Sequence, residues 1–214
     1  LIPGFYDAVQ PLQPWEREAA AALEKASGGD DSIKELAGVT ELFGETGFST
    51  LERIGARPTV EVNGFGGGYQ GEGTKTILPK EAFVKLSFRL VADQDPQKIL
   101  KLAAAHLRQQ LPPGVSLEII LGHSGAACFS DPQSKDGKAA QEALQECFGS
   151  KPFLLRDGAS IPIIESFKKI LGVDTLLVGL ANPDCGMHSP NENMLLKNFL
   201  NGIKLNQVLL EKLS

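Results

Sequence analysis

From Thr59 the chain alternates apolar and polar residues with a period of two. In TVEVN (59–63) Val60 and Val62 share a face. In FVKLSFRLV (83–91) Val84, Leu86, Phe88 and Leu90 lie together, opposite Lys85, Ser87 and Arg89. VSLEIIL (115–121) repeats the pattern with Val115, Leu117, Ile119 and Leu121. Three half-polar strands are therefore predicted. Between the last two the spacing becomes helical: Asp95 suits an N-cap, Pro96 the first helical position, and Ile99, Ala103 and Leu107 form a stripe that PPG (112–114) ends. Strand, strand, helix, strand with one polar face predicts an α+β layer, with helices on one face of an antiparallel sheet.

A second regime begins near Ser130. Predicted helices at 135–148 and 161–170 alternate with short apolar strands at 152–156 (PFLLR) and 175–180 (TLLVGL). A final helix spans about 194–213, with Leu196, Phe199, Leu200 and Ile203 on one stripe. Strands alternating with helices predict parallel α/β pairing, so the boundary between regimes falls near 126–136. The loops RDGASIP (156–162) and ANPDCGMHSPNE (181–192) each follow a strand and are expected to lie close together, where α/β sheets carry their sites. Residues 1–57 are the least regular, with short helices predicted at 13–26 and in DDSIKELAGV (30–39).

The 214 residues are 42% hydrophobic, enough for one large domain or two small ones. A net charge of -5 and a pI near 5.3 argue against a nucleic-acid partner, which needs a basic surface. No apolar run approaches the roughly 20 residues of a membrane span. Three widely spaced cysteines, Cys128, Cys147 and Cys185, read as reduced thiols of a cytoplasmic protein rather than a disulfide framework. The chain opens on Leu1, and LIPGFYDAV reads as the interior of a longer protein, so a missing signal peptide carries no weight.

Chemistry is sparse. GEGTKT (71–76) fails the phosphate-loop spacing, because Thr74 separates Gly73 from Lys75 and a strand follows. Arg89, on the polar face of its strand, is either a solvated sheet residue or a fork for a carboxylate. Ser160 lacks a nucleophile elbow. Cys185 and His188, three apart in one loop, make a poor thiol dyad. His106 reads as a solvated helix residue and His123 as a strand-end residue. His188 stands open as metal ligand, base or polar loop residue, since one imidazole cannot hold a metal tightly.

In order, IPGFYD, GGYQGEGTKTILPKEAFVKLSFRLV, RDGASIPI and GMHSPNE resemble the carnosinase-like dizinc metallopeptidases, which include cytosolic dipeptidases, carboxypeptidase G and succinyl-diaminopimelate desuccinylase. The resemblance runs over nearly the whole chain. It implies an antiparallel-sheet lid, the dimerisation domain, over residues 1–128 and the C-terminal segment of an α/β zinc-peptidase catalytic domain over 129–214. It implies that His188 is a metal ligand. Thr76 and Arg89 would hold a substrate carboxylate, His123 would sit at the lid's exit in contact with substrate, and Gly158 and Ser160 would contact substrate from the RDGAS loop. Two zinc ions, a small peptide or N-acyl amino acid substrate and a homodimer formed through the lid are implied for the intact protein. The family's R-E-G-G is RDGA here, with Asp157 and Ala159 substituted. The family's H-x-D, bridging aspartate and Glu-Glu segments are absent from these residues, so the chain by itself is expected to be inactive. The alternative expectation is a non-catalytic dimerisation or binding module.

Overall fold

The computed structural model describes every residue except Ala159, Ser160 and Pro162, so the expectation for Ser160 lies outside the described residues. In chain order the described elements are α1 (Pro14–Ser27), α2 (Gly29–Ala37), α3 (Thr50–Ala56), β1 (Thr59–Gly67), β2 (Ala82–Arg89), α4 (Pro96–Gln109), α5 (Lys135–Phe148), α6 (Ile163–Leu171) and α7 (Leu196–Leu213). The helix boundaries follow local chemistry. Pro14 and Pro96 open α1 and α4 with φ already set. The Asp95 carboxylate accepts the Gln97 N–H at 2.8 Å, and the Ser134 hydroxyl accepts the Gly137 N–H at 3.0 Å. Left-handed Gly149, at φ 77, closes α5.

β1 and β2 form an antiparallel pair with Thr59 opposite Arg89, Val60 opposite Phe88 and Val62 opposite Leu86. A bulge between Val62 and Gly64 shifts the register by one, so that Phe65 rather than Gly64 faces Val84. The apolar face therefore runs Val60, Val62, Phe65 on one strand and Phe88, Leu86, Val84 on the other. Its Phe88 end meets Phe5, ring centroids 6.1 Å apart. Gln94 ties the N-terminal segment down: its buried amide donates to the Phe5 carbonyl at 2.7 Å and accepts the Val91 N–H at 3.0 Å.

A core lies between α5 and α7, built on Ala143, Cys147, Leu205 and Val208, with Val178 and Leu180 packed against it. Ile99, Ala103 and Ala104 of α4 are also buried.

Several expectations are corrected. Residues 115–121, 152–156 and 175–180 run without helix or ladder, so the sheet has two strands and no parallel pair is found among the described residues. Apolar alternation identifies a chain that buries one side, and it does not guarantee a backbone partner at hydrogen-bonding distance. The class of mixed helices with an antiparallel sheet stands. On α7 the stripe Leu196, Phe199, Leu200, Ile203 is the exposed one, each residue more than half exposed, while Gly202, Leu205 and Val208 face the core. The helix carries two apolar stripes, and the one with a glycine allows the closer approach. α3 had no counterpart among the predicted elements. His106 is half-buried rather than solvated, and its Nδ1 is enclosed without a hydrogen-bond partner.

Candidate functional site

The segment 156–158 is held from three sides. Arg156 places its guanidinium on the Glu16 carboxylate of α1, Nε to Oε1 at 2.6 Å and Nη2 to Oε2 at 3.1 Å. The same guanidinium stacks 4.9 Å from the Phe129 ring centroid. Glu16 is itself fixed, because its Oε2 accepts the Gln13 N–H at 2.7 Å in the first turn of α1. On the second side α3 presses its C-terminal turn against the segment. A methyl on Gly55 would overlap the Arg156 carbonyl, and one on Gly158 would lie 2.8 Å from the Ile54 carbonyl. Glycine is needed at both positions for this close approach. On the third side Arg89, at the end of β2, donates from Nη1 to the Gly158 carbonyl at 2.8 Å.

α3 is held in turn. The Ser49 hydroxyl accepts the Glu52 N–H at 3.4 Å, and the Glu52 carboxylate accepts the Ser49 N–H at 2.8 Å, a complete capping box. The other carboxylate oxygen of Glu52 accepts from Arg17 of α1 at 2.9 Å.

These elements wall a cavity of about 1140 Å³, above the roughly 300–1,000 Å³ of typical ligand pockets. Trp15, Glu16, Arg89, His123, Arg156 and Gly158 all line it. The structure thus joins Arg89 to Gly158, and His123 lines the same open cleft. Thr76 lies in the exposed segment after β1 and does not line the cavity, nor does His188.

His188 occupies the 181–194 loop. Asn182, 4% exposed, organises that loop. Its Nδ2 donates to Asp184 Oδ1 at 2.6 Å and its Oδ1 accepts the Leu195 N–H at 3.0 Å. Asn193 donates to the Cys185 and Asn191 carbonyls at 3.4 and 3.3 Å. Gly186, His188 and Asn191 all have positive φ, so the loop turns tightly and leaves His188 exposed. Among the described residues no three His, Cys, Asp or Glu side chains gather where they could hold a metal. One exposed imidazole does not fit a zinc centre, which takes about four ligands.

Sequence reasoning missed Glu16 as a site residue and gave Arg156 no role. Glu16 three positions after Gln13 at a proline-started helix is a legible capping signal, but its pairing with a residue 140 positions away is not.

Comparison with known proteins supplies the relationship. The family described as "Peptidase dimerisation domain" matches residues 18–115. The chain is 32% identical over 212 residues to "Cys-Gly metallodipeptidase DUG1" of Candida albicans, covering 95% of this chain and 42% of that protein. It is 29% identical over 211 residues to the "Beta-Ala-His dipeptidase" of Homo sapiens, covering 96% of this chain and 40% of that protein. The crystal structure of the M20 family metallo-carboxypeptidase Sso-CP2 from Sulfolobus solfataricus superposes with a TM-score of 0.83 at 31% identity, over 99% of this chain and 47% of that one. The chain thus spans under half the length of each of these relatives.

Proposed function

We propose that this chain, which matches the peptidase dimerisation domain family over residues 18–115 and is similar to metallodipeptidases over most of its length, serves a metal-dependent exopeptidase that hydrolyses small peptides or N-acyl amino acids. In this reading residues 1–128 form the lid and 129–214 the C-terminal part of the catalytic domain. The chain's own contribution is recognition of the substrate's free carboxylate. The observation that carries the reading is the 2.8 Å bond from Arg89 to the Gly158 carbonyl. It joins, on one cavity wall, two residues expected separately to bind substrate. A guanidinium has five N–H donors in a planar fork, so Arg89 can hold a backbone carbonyl with one arm and orient a carboxylate with another. Thr76 and Ser160 belong to the same expected carboxylate and substrate contacts, and His123 lines the cavity they would share.

Zinc is the metal proposed, supplying a polarised water when bound. The residues gathered here do not make a zinc site, so His188 would be one ligand among several lying outside these 214 residues. No step of the chemistry is assigned to the metal on this chain. A homodimer through the lid and a cytoplasmic location complete the proposal. No described helix is long and apolar enough to cross a membrane.

The 214 residues alone are expected to show no dipeptide hydrolysis and to lose zinc on dialysis. Stoichiometric zinc retained after dialysis, together with hydrolysis, would sink this division of labour. The second reading, a non-catalytic dimerisation or binding module, is favoured by the lack of a metal-ligand group among the described residues. Hydrolysis of dipeptides by the protein supplied with the relatives' remaining segment and zinc would exclude it.

A further inference from the structure

We propose that Glu16 and Arg156 are positioning residues, whose buried ion pair fixes the 156–158 backbone so that the Gly158 carbonyl meets Arg89. The functional consequence rests on the carboxylate-binding reading above; the structural claim does not.

The segment that carries Arg156 has no ladder hydrogen bonds, so regular secondary structure does not set its position. Its position is set by side chains. Both guanidinium arms go to one carboxylate at 2.6 and 3.1 Å, and the guanidinium face goes to Phe129 at 4.9 Å. A planar fork on a planar carboxylate fixes direction as well as distance. The Glu16 side chain is 4% exposed and the Arg156 side chain 20%. Water therefore competes little, and separating the pair leaves a buried charge. The carboxylate cannot drift, because the Gln13 N–H holds it to the first turn of α1. Two residues after Arg156 comes Gly158, whose carbonyl receives Arg89. The chain of fixed contacts thus runs from α1 through Glu16 and Arg156 to Gly158 and Arg89. The charges of Glu16 and Arg156 cancel. Arg156 is committed to Glu16, and Arg89 remains the cation for the ligand. Loosening the pair is expected to free the Gly158 carbonyl and blur the geometry in which Arg89 tells a carboxylate from an amide.

The test uses three variants in the full protein. Glu16→Gln keeps an acceptor for the Gln13 N–H and removes the charge. Arg156→Met keeps length and removes the fork. Arg156→Lys keeps the charge and removes the fork geometry. Amide hydrogen exchange is followed in a peptide covering 152–158 and in one covering 196–208 of α7. Affinity for glycyl-leucine and for glycyl-leucinamide is read by isothermal titration calorimetry. Exchange at 152–158 is expected to rise about tenfold or more in Glu16→Gln and Arg156→Met, and less in Arg156→Lys, with 196–208 unchanged. The preference for free acid over amide is expected to fall towards one in the same order. Unchanged exchange at 152–158, or an equal rise in both peptides, overturns the proposal, the second outcome marking the pair as a general stability contact. If Arg156→Met fails to fold, Glu16→Gln decides the matter. A wild type that does not distinguish acid from amide defeats the carboxylate reading, and the exchange result still decides the positioning claim.

Discussion

Arg89 stands at the end of β2, exposed, on the face opposite Leu86 and Phe88, so replacing it should disturb recognition more than folding. A charge-assisted hydrogen bond contributes roughly 1.5–3 kcal/mol. On the proposed exopeptidase reading, Arg89→Ala in the full-length protein should therefore lower kcat/KM for free-acid dipeptides about 10- to 150-fold. The loss should be mostly absent for C-terminally amidated substrates, and equal losses on both would refute Arg89 as the anchor. The control sits at Ile99, 4% exposed. Ile99→Ala should cost about 2–5 kcal/mol in chemical denaturation and leave the acid-over-amide preference intact. Leu86, which alternation alone marks as core, is only half-buried and should cost less. The place of Arg89 on the polar face of β2 was legible because strand period is a local signal, whereas Gly158 was singled out only through the family resemblance. Glu16 with Arg156 was not legible, since a charge looks solvent-bound until its partner is known. Thr76 and His188 were legible as motif positions, yet neither lines the cavity, because they lie on exposed segments that nothing in these residues draws towards Arg89.

At the scale of elements, the predicted helices α1, α4 and α5 formed where proline, a capping side chain or a terminal glycine marked their ends. α3 escaped notice because it has only seven residues, one of them Gly55, and its stability comes from its capping box and from α1. Ser49→Ala should cost about 1 kcal/mol, the usual worth of an N-cap. Gly55→Ala should cost more, although alanine is the better helix former, because its methyl has to displace the Arg156 carbonyl. Thermal midpoints in that order check the claim, and a stabilising Gly55→Ala would contradict the close approach. The apolar stretches at 152–156 and 175–180 are partly buried, and they were read wrongly as paired strands. Burial is written in composition, whereas pairing depends on where another segment lies. Between these two stretches, α6 is tied to the following loop by Lys168 and Asp174 at 2.7 Å. The hydrogen bond that Lys168 donates to Asp174 raises its pKa above the usual 10.5, against an opposing effect of burial. A raised pKa means the contribution is fully present below 10.5 and is lost as pH climbs through the higher folded value. Both side chains are about half exposed, so the contribution should stay under about 1 kcal/mol. The melting difference between wild type and Lys168→Met should hold steady up to about pH 10 and then close. A gap that widens with alkalinity would show the sign to be wrong.

For the whole molecule the remaining question is what covers the sheet. β1 and β2 form a two-stranded ribbon that no further strand joins among the described residues. An isolated ribbon of this kind is marginal in water. Its apolar face is covered at the Phe88 end by Phe5, but Val62, Phe65 and Val84 are 62%, 82% and 52% exposed. This face falls within residues 18–115, the stretch that matches the peptidase dimerisation domain family. A second copy of the ribbon would cover both the apolar face and the open strand edges. Self-association is therefore expected through β1 and β2, with sedimentation velocity giving a dimer at micromolar concentration. Burying a phenylalanine side chain is worth about 1.5–3 kcal/mol, so Phe65→Asp should weaken the dimer by at least about tenfold. Its monomer should melt almost as the wild type does, since Phe65 is already 82% exposed. Phe199→Asp is the matched control: Phe199 is 54% exposed on α7, outside the matched residues 18–115. It should leave the dimer unchanged. Dissociation by Phe199→Asp but not by Phe65→Asp would move the interface to α7 and leave the ribbon's exposed face without a partner.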